Sequence, residues 1–381
     1  MSTRHRKSFS SGSQNKSSIS GLFRNKTQDE PVHFSSSIAD YELLGDIGGI
    51  DDISYLYLAR FNPTQELVAL KYTDLTLSPD FEFVEELIKT IRNASLCRHP
   101  NILPYYRSFV ENERLWTVTL PIKAGSCRGI MKSYYPSGFS EPVVATILLE
   151  VLRAIQYLHA NYMIHNDVRA DNILLDLTGE VRLSGFRQLA TLSRNGEYQQ
   201  SVFSLVGDNI EWAAPEVMAQ NSNYDEKADI YSLGITALEL AFNQTPFDDW
   251  PPMKVLLSKL EYPCPGIATD KIMSKAFFQM VAACLHKDPA KRSSAQELAA
   301  HAFFKNARNA HYLETHLVKT CDLAVKHGVA LGQKCLSAPN NNFKTESSHK
   351  GSPLRDVDDE SQMVPRGRGS SLGGGNRVVP V

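Results

Sequence analysis

Short hydrophobic runs of strand length occupy the first third of the chain, and long runs with a helical period follow them. The runs Tyr41–Leu44, Tyr55–Ala59, Leu67–Tyr72 and Leu115–Leu120 alternate with turn residues such as Asn62-Pro63-Thr64 and Glu111-Asn112, the pattern of antiparallel strands. One helix interrupts them. Phe81, Val84, Leu87, Ile88 and Ile91 fall at helical spacing, and Ser78-Pro79 supplies an N-cap with proline in the first turn. After Gly125 helices dominate. Val144, Ile147, Leu148, Val151, Ile155 and Leu158 form a broad apolar stripe, and Asp229–Phe242 is apolar nearly all round, which predicts a helix buried inside a larger lobe. A small β-rich first part and a larger helical second part predict an α+β protein of two lobes with a crevice between them. No internal repeat is evident.

The flanks read differently. Residues 1–37 are Ser-rich and basic (Arg4, Arg6, Lys7, Lys16, Arg24, Lys26) without apolar periodicity, so a disordered tail is expected. Residues 336–381, with Asn-Asn-Asn, mixed charge and a Gly-Gly-Gly run, predict a second one. Between 306 and 335 a helical extension is expected through His311–Val325. The intervening 38–305 is the folded domain. The whole chain of 381 residues is 42% apolar and 22% charged, ordinary globular values that exclude collagenous, coiled-coil or wholly disordered classes. A net charge of −2 gives no electrostatic reason to bind nucleic acid. No run approaches the roughly 18 apolar residues of a membrane span, and the N-terminus has no secretory apolar core. A cytoplasmic location is expected, with the nucleus also open to a chain whose tail is basic. Six scattered cysteines without metal-ligand spacing read as reduced, mostly buried thiols, and no metal site is expected.

Candidate chemistry comes from a series of short motifs. Val68-Ala69-Leu70-Lys71 is a strand ending in lysine; His165-Asn166-Asp167-Val168-Arg169-Ala170-Asp171-Asn172 follows a long helix; then come Leu183-Ser184-Gly185-Phe186-Arg187, Ala214-Pro215-Glu216, Asp229-Ile230-Tyr231-Ser232-Leu233-Gly234 and Arg292. These stations stand in the order and spacing of the protein-kinase signature, so the chain resembles a protein kinase over roughly residues 41–305. Within that family, Trp212–Val217, Tyr231–Leu240, Tyr224–Asp229 and Met253–Leu260 are similar to the sterile-20 branch and, inside it, to the sterile-20-related adaptor pseudokinases.

The stations depart from those of a working kinase. The glycine-rich loop reads Ile47-Gly48-Gly49-Ile50-Asp51-Asp52-Ile53, so later glycines are missing and two carboxylates stand near where phosphates would lie. They are either solvated hairpin aspartates or an acidic cap on the site. Lys71 reads as a nucleotide-facing lysine or as a strand lysine with its head in solvent. Its usual glutamate partner falls, by the family's spacing, on Thr90, with Glu86 a candidate only in a shifted register. Asp167 holds the general-base place and Asn172 that of a metal ligand, or both merely bond their own turn. Asn166 replaces the arginine that would bind a phosphorylated loop, and Gly207-Asp208-Asn209 lacks the phosphorylatable threonine, so something else, such as a bound partner, is expected to hold that loop. Gly185 replaces the principal metal ligand. Losing that oxygen costs roughly a thousandfold in rate or more. Arg187 stands ready for metal-free phosphate contact or for a nearby carboxylate.

The resemblance therefore implies an inactive adaptor with a vestigial Asp167. It implies ATP bound without magnesium by Ile47, Gly48, Lys71, Thr119 at the gatekeeper position, Pro121 and Ile122 in the hinge, Asn172 and Arg187. Its implied partner is a liver-kinase-B-type polarity kinase acting upstream of AMP-activated kinases. The family's helical-repeat scaffold is implied too, although Arg377-Val378-Val379-Pro380-Val381 lacks the Trp-Glu-Phe tail that engages it. A weakly active Ser/Thr kinase and a nucleotide-free interaction module are the alternatives.

Overall fold

A computed structural model of the chain describes residues 33–51, 53–77, 81–191, 209–219, 224–319 and 378–379, with the backbone alone for 48–51, Glu82, Glu86, Ala268 and 378–379. The first lobe is an antiparallel sheet of β1 (Tyr41–Asp51), β2 (Ser54–Phe61), β3 (Glu66–Asp74), β4 (Tyr105–Glu111) and β5 (Arg114–Thr119), in the spatial order β1-β2-β3-β5-β4. Ala59, Val68, Leu70 and Val118 are buried on one face, and Tyr55, Tyr57, Tyr72 and Trp116 continue that same face along the strands with ring centroids 5.0–5.9 Å apart. The sequence pattern does not reveal β4. It is an edge strand on which Phe109 alone is buried, so no apolar alternation marks it. The helix α1 (Phe81–Leu96) crosses the sheet where its spacing predicts, and its Ser78-Pro79 cap lies outside the described residues.

The second lobe is helical. Its helices are α2 (Cys127–Tyr134), α3 (Glu141–Ala160), α4 (Pro215–Ala219), α5 (Lys227–Phe242), α6 (Pro252–Glu261), α7 (Lys275–Cys284), α8 (Ala295–Ala299) and α9 (Ala310–Leu313). Every residue of α5 from Ala228 to Phe242 is buried, as its all-round apolarity requires. α3 has the length and apolarity of a membrane-crossing helix, yet Val144, Ile147, Leu148, Val151 and Ile155 are wholly buried in the lobe. No other helix among the described residues combines that length with that composition. Short strands before α2 and between α3 and α4 frame the loops that matter below: β6 (Gly125–Ser126), β8 (Ile173–Leu175) and β9 (Val181–Leu183) form one small sheet, and β7 (Met163–Ile164) pairs with β10 (Ala190–Thr191). Cys97, Cys127 and Cys284 are buried thiols raised above their ordinary pKa by burial, while Cys321 and Cys335 lie outside the described residues.

The helical extension docks on this lobe as far as Lys319, with Leu313, Leu317 and Val318 buried and the Arg308 N–H donating to Thr146 Oγ1 at 2.8 Å. Residues 320–335 lie outside the described residues. The contact depends on Gly179, whose φ is +79° and where a Cβ would stand 2.0 Å from the Ala310 carbonyl oxygen. Gly179→Ala is expected to cost about 2–3 kcal/mol through strain and overpacking and to lift α9 from the lobe, seen as faster proteolysis near Arg308. Within 336–381, predicted to be disordered, Val378–Val379 form β12 against β11 (Ile267–Ala268). A β-branched pair suits a ladder, and the surrounding Gly-rich composition hides it.

Candidate functional site

The site is organised around the start of α5. The Asp229 carboxylate is completely buried and accepts the backbone N–H groups of His165 (2.9 Å) and Asn166 (2.8 Å) and Nε2 of His159 (2.9 Å). Burial alone would raise its pKa, but the His159 hydrogen bond and charge, with the contribution of His165, outweigh that and hold it below the ordinary carboxylate range. His165 in turn bonds the Ser184 carbonyl through Nε2 (2.8 Å), and its Nδ1 accepts the Asp167 N–H (3.2 Å). Burial pushes its pKa down, so it is neutral and Nε2 is the donor. Its ring meets the edge of Phe186 at 5.1 Å, and Phe186 meets Tyr105 of β4 at 5.9 Å. A column of packed rings thus connects the sheet lobe to Asp229.

Asp167 is turned inward on its own loop. Its Oδ2 accepts Nδ2 of Asn172 at 2.7 Å, that same amide reaches the Asp167 carbonyl at 2.8 Å, and Arg169 Nε lies 3.3 Å from Oδ1. Only 9% of Asp167 is exposed. Gly185 has φ +84°, and a Cβ there would stand 2.2 Å from Asn172 Cγ and 2.4 Å from its amide atoms. The Asn172 side chain has taken the space into which a side chain at 185 would project. Asp167 and Asn172, the residues the sequence places at the base and metal-ligand stations, are therefore hydrogen-bonded to each other.

The residues expected on the nucleotide side come from the sheet. Gly48 pairs with Leu56, Leu56 with Lys71 and Lys71 with Thr117, so Gly48 and Lys71 share one row across it. Ile47 is exposed on β1, whose register slips on either side of Gly48 before the hairpin closes at Asp51 and Ser54. Thr119 is buried at the end of β5 opposite Ala69, and Pro121 and Ile122 are half-buried in the connection that follows. The side chains of Asp51, Asp52 and Glu86 lie outside the described residues. Thr90, where the family's spacing places a glutamate, is buried and donates from Oγ1 to the Arg187 carbonyl (3.3 Å). The Arg187 guanidinium lies 5.0 Å from the centre of the Phe83 ring on α1, a cation–π contact that joins helix and loop. Arg187 is thus joined to α1 through both its carbonyl and its guanidinium.

Neutral contacts surround Asn166. Asn166, at φ +62°, donates from Nδ2 to the Gln188 carbonyl (3.0 Å) and the Tyr224 hydroxyl (3.1 Å), while Asn209 Nδ2 reaches the Asn166 carbonyl (3.4 Å). Asn209 and Tyr224 are thereby tied to the Asp167 loop from within the chain. Residues 192–208, including Gly207 and Asp208, lie outside the described residues.

Two buried charges escaped the sequence reading. Lys259 of α6 is 2% exposed, and its ammonium donates to the carbonyls of Ile210, Glu211 and Ala213 at 3.0, 2.6 and 2.7 Å, between the rings of Tyr231 and Phe247. Burial pushes it down to about 7. Nothing in an apolar stripe marks a lysine as buried. Glu239 of α5 accepts from the Ala170 N–H (2.9 Å) and Trp212 Nε1 (3.0 Å), and burial raises its pKa from 4.5 to about 7. Because the folded state holds the extra proton between about pH 4.5 and 7, this group's contribution to stability falls as pH rises through that window. Glu239→Gln removes that slope. Urea unfolding should show the variant gaining about 2 kcal/mol on the parent between pH 5 and pH 7.

Sheet lobe, helical lobe and loop order are those of one fold class, and the sequence comparison agrees: the protein kinase domain matches residues 42–304. The chain belongs to the protein kinase family. Within it the relatives are of the sterile-20 branch. The chain is 32% identical over 334 residues to human STE20-related kinase adapter protein beta, covering 75% of this chain and 80% of that protein. It is 33% identical over 316 residues to mouse STE20-related kinase adapter protein alpha, covering 70% of this chain and 73% of that one. It is also 43% identical over 288 residues to the serine/threonine-protein kinase fray2 of Dictyostelium discoideum, 75% of this chain but 27% of that protein, so it spans about a quarter of that relative.

Proposed function

We propose that this chain is a pseudokinase adaptor: it transfers no phosphate and acts by binding a partner Ser/Thr kinase of the liver-kinase-B type, upstream of AMP-activated and related kinases, and favouring that kinase's active conformation. The observation that carries the first half is Gly185 with Asn172 packed into the space of its missing side chain. A divalent metal does not fit there: Asp167 is already bonded to Asn172 and lies beside Arg169, and position 185 offers no oxygen. The adapter half is supported by the two relatives named STE20-related kinase adapter proteins.

ATP without magnesium is the proposed ligand of the crevice. The Ile122 N–H has no hydrogen-bond partner among the described residues and remains available to an adenine edge, with Thr119 and Pro121 beside it. Ile47 and Gly48 would cover the nucleotide, and Lys71, Asn172 and Arg187 would face its phosphates. Such a ligand stabilises the closed arrangement of the lobes, and that closed surface is what the partner's active state would fit better than its inactive one. The helical-repeat scaffold is proposed as a third component, and the cytoplasm, with the nucleus, as the location. Reconstitution tests the adaptor role. Adding this chain at equal stoichiometry to a liver-kinase-B-type kinase is expected to raise that kinase's activity about tenfold or more, and no rise in a stoichiometric mixture would overturn the role.

A weakly active kinase is the second reading, favoured by the retained Asp167 and by the likeness to fray2, which is named as a kinase.

A further inference from the structure

The edge at Ile267–Ala268 is built to receive a strand. Pro263 and Pro265 precede it, removing two N–H donors and keeping the chain extended. Ile267 is 3% exposed, with its side chain in the helical core. After it, the Lys271 ammonium donates to the carbonyls of Ser137, Phe139 and Ala241 at 2.9, 2.8 and 2.7 Å. Glu141 then accepts from the Ser274 N–H at 2.8 Å and from its hydroxyl at 2.6 Å. The segment is therefore anchored to the lobe by the buried Ile267 side chain and clamped just beyond the edge by Lys271 and Ser274. Among the described strands its partner is β12, antiparallel, with Ile267 opposite Val379 and Ala268 opposite Val378.

The occupant suits the place. Val378 and Val379 are β-branched, and Pro380, which has no N–H, stops the ladder at once. We propose that the Ile267–Ala268 edge is a β-addition site for a short extended β-branched segment, and that Val378–Val379 of the same chain is its resident occupant. Capture from the same chain is intramolecular, which favours it over an equally good segment in solution. It also covers an edge that would otherwise offer unpaired backbone groups to another chain. A ladder this short makes few hydrogen bonds, so the occupant is exchangeable.

Hydrogen–deuterium exchange on the full chain tests this. In the double variant Val378→Asp, Val379→Asp, the amides of 266–269 are expected to exchange about tenfold faster than in the parent, while those of α3 keep their protection and report an intact fold. A fluorescein-labelled peptide of residues 375–381 should bind the variant, restore the lost protection, and bind the parent far less. Unchanged exchange in the variant, or a peptide that binds neither, would overturn the site. Protection in the parent that falls on dilution would show that a second copy supplies the strand, and would overturn the same-chain assignment.

Discussion

Gly185→Asp, the substitution that writes the missing metal ligand back into the motif, is expected to destabilise the protein by about 2–4 kcal/mol and to create no activity. The Cβ alone would stand 2.2 Å from Asn172 Cγ, and the backbone there is at φ +84°, which an L side chain adopts only with strain. Asn172 has little room to yield, because its amide already serves both the Asp167 carboxylate and carbonyl. Two consequences separate this account from one in which the glycine is an isolated loss. Adding Asn172→Ala should recover more than about 1 kcal/mol of the penalty in a double-mutant cycle, since the clash is between those two side chains. Radiolabelled phosphotransfer should stay absent in single and double variants alike. A Gly185→Asp protein as stable as its parent would mean that the two positions do not contend for one space.

Asp229→Ala should be the most damaging change near the site, at about 4 kcal/mol, because it leaves two buried backbone donors and His159 without their acceptor. For a domain of this size the melting temperature should fall by roughly 10 °C. Asp229→Asn keeps one carbonyl oxygen and should cost about half as much. The pH dependence has a definite sign. With the folded pKa held below the ordinary value, Asp229 contributes stability above the unfolded carboxylate pKa and loses it as pH falls through the folded one. Acid melts of the parent and Asp229→Asn should therefore converge at low pH. A constant gap between the two would contradict the arrangement described around His165 and Asn166.

The legible parts of this molecule were those in which one residue type answers to one demand. The all-round apolarity of α5 and the stripe on α3 announced buried helices, and the motif order from Lys71 to Arg292 announced the loops between them. The absence of a carboxylate at 185 was equally plain. What filled the gap was not. Asn172 reads as a retained ligand in one dimension, and only its packing against Gly185 and Asp167 shows the amide turned away from that task. The strand β4 was hidden by its exposure at the sheet edge, and the Val378–Val379 ladder by a two-residue signal in a glycine-rich stretch. The buried roles of Lys259 and Glu239 were not legible, because periodicity ranks residues by polarity and cannot see three carbonyls converging on an ammonium or two donors on a carboxylate. Long-range partners of polar groups are set by tertiary contact, and local sequence carries no record of them.

On the proposed function, this kinase fold has given up phosphate transfer. The measurement that meets it most directly is phosphotransfer from radiolabelled ATP with magnesium to a generic Ser/Thr substrate, with the parent and Asp167→Ala run side by side. Incorporation by the parent is expected to be no greater than that by Asp167→Ala. Magnesium-dependent incorporation by the parent that disappears in Asp167→Ala would contradict it.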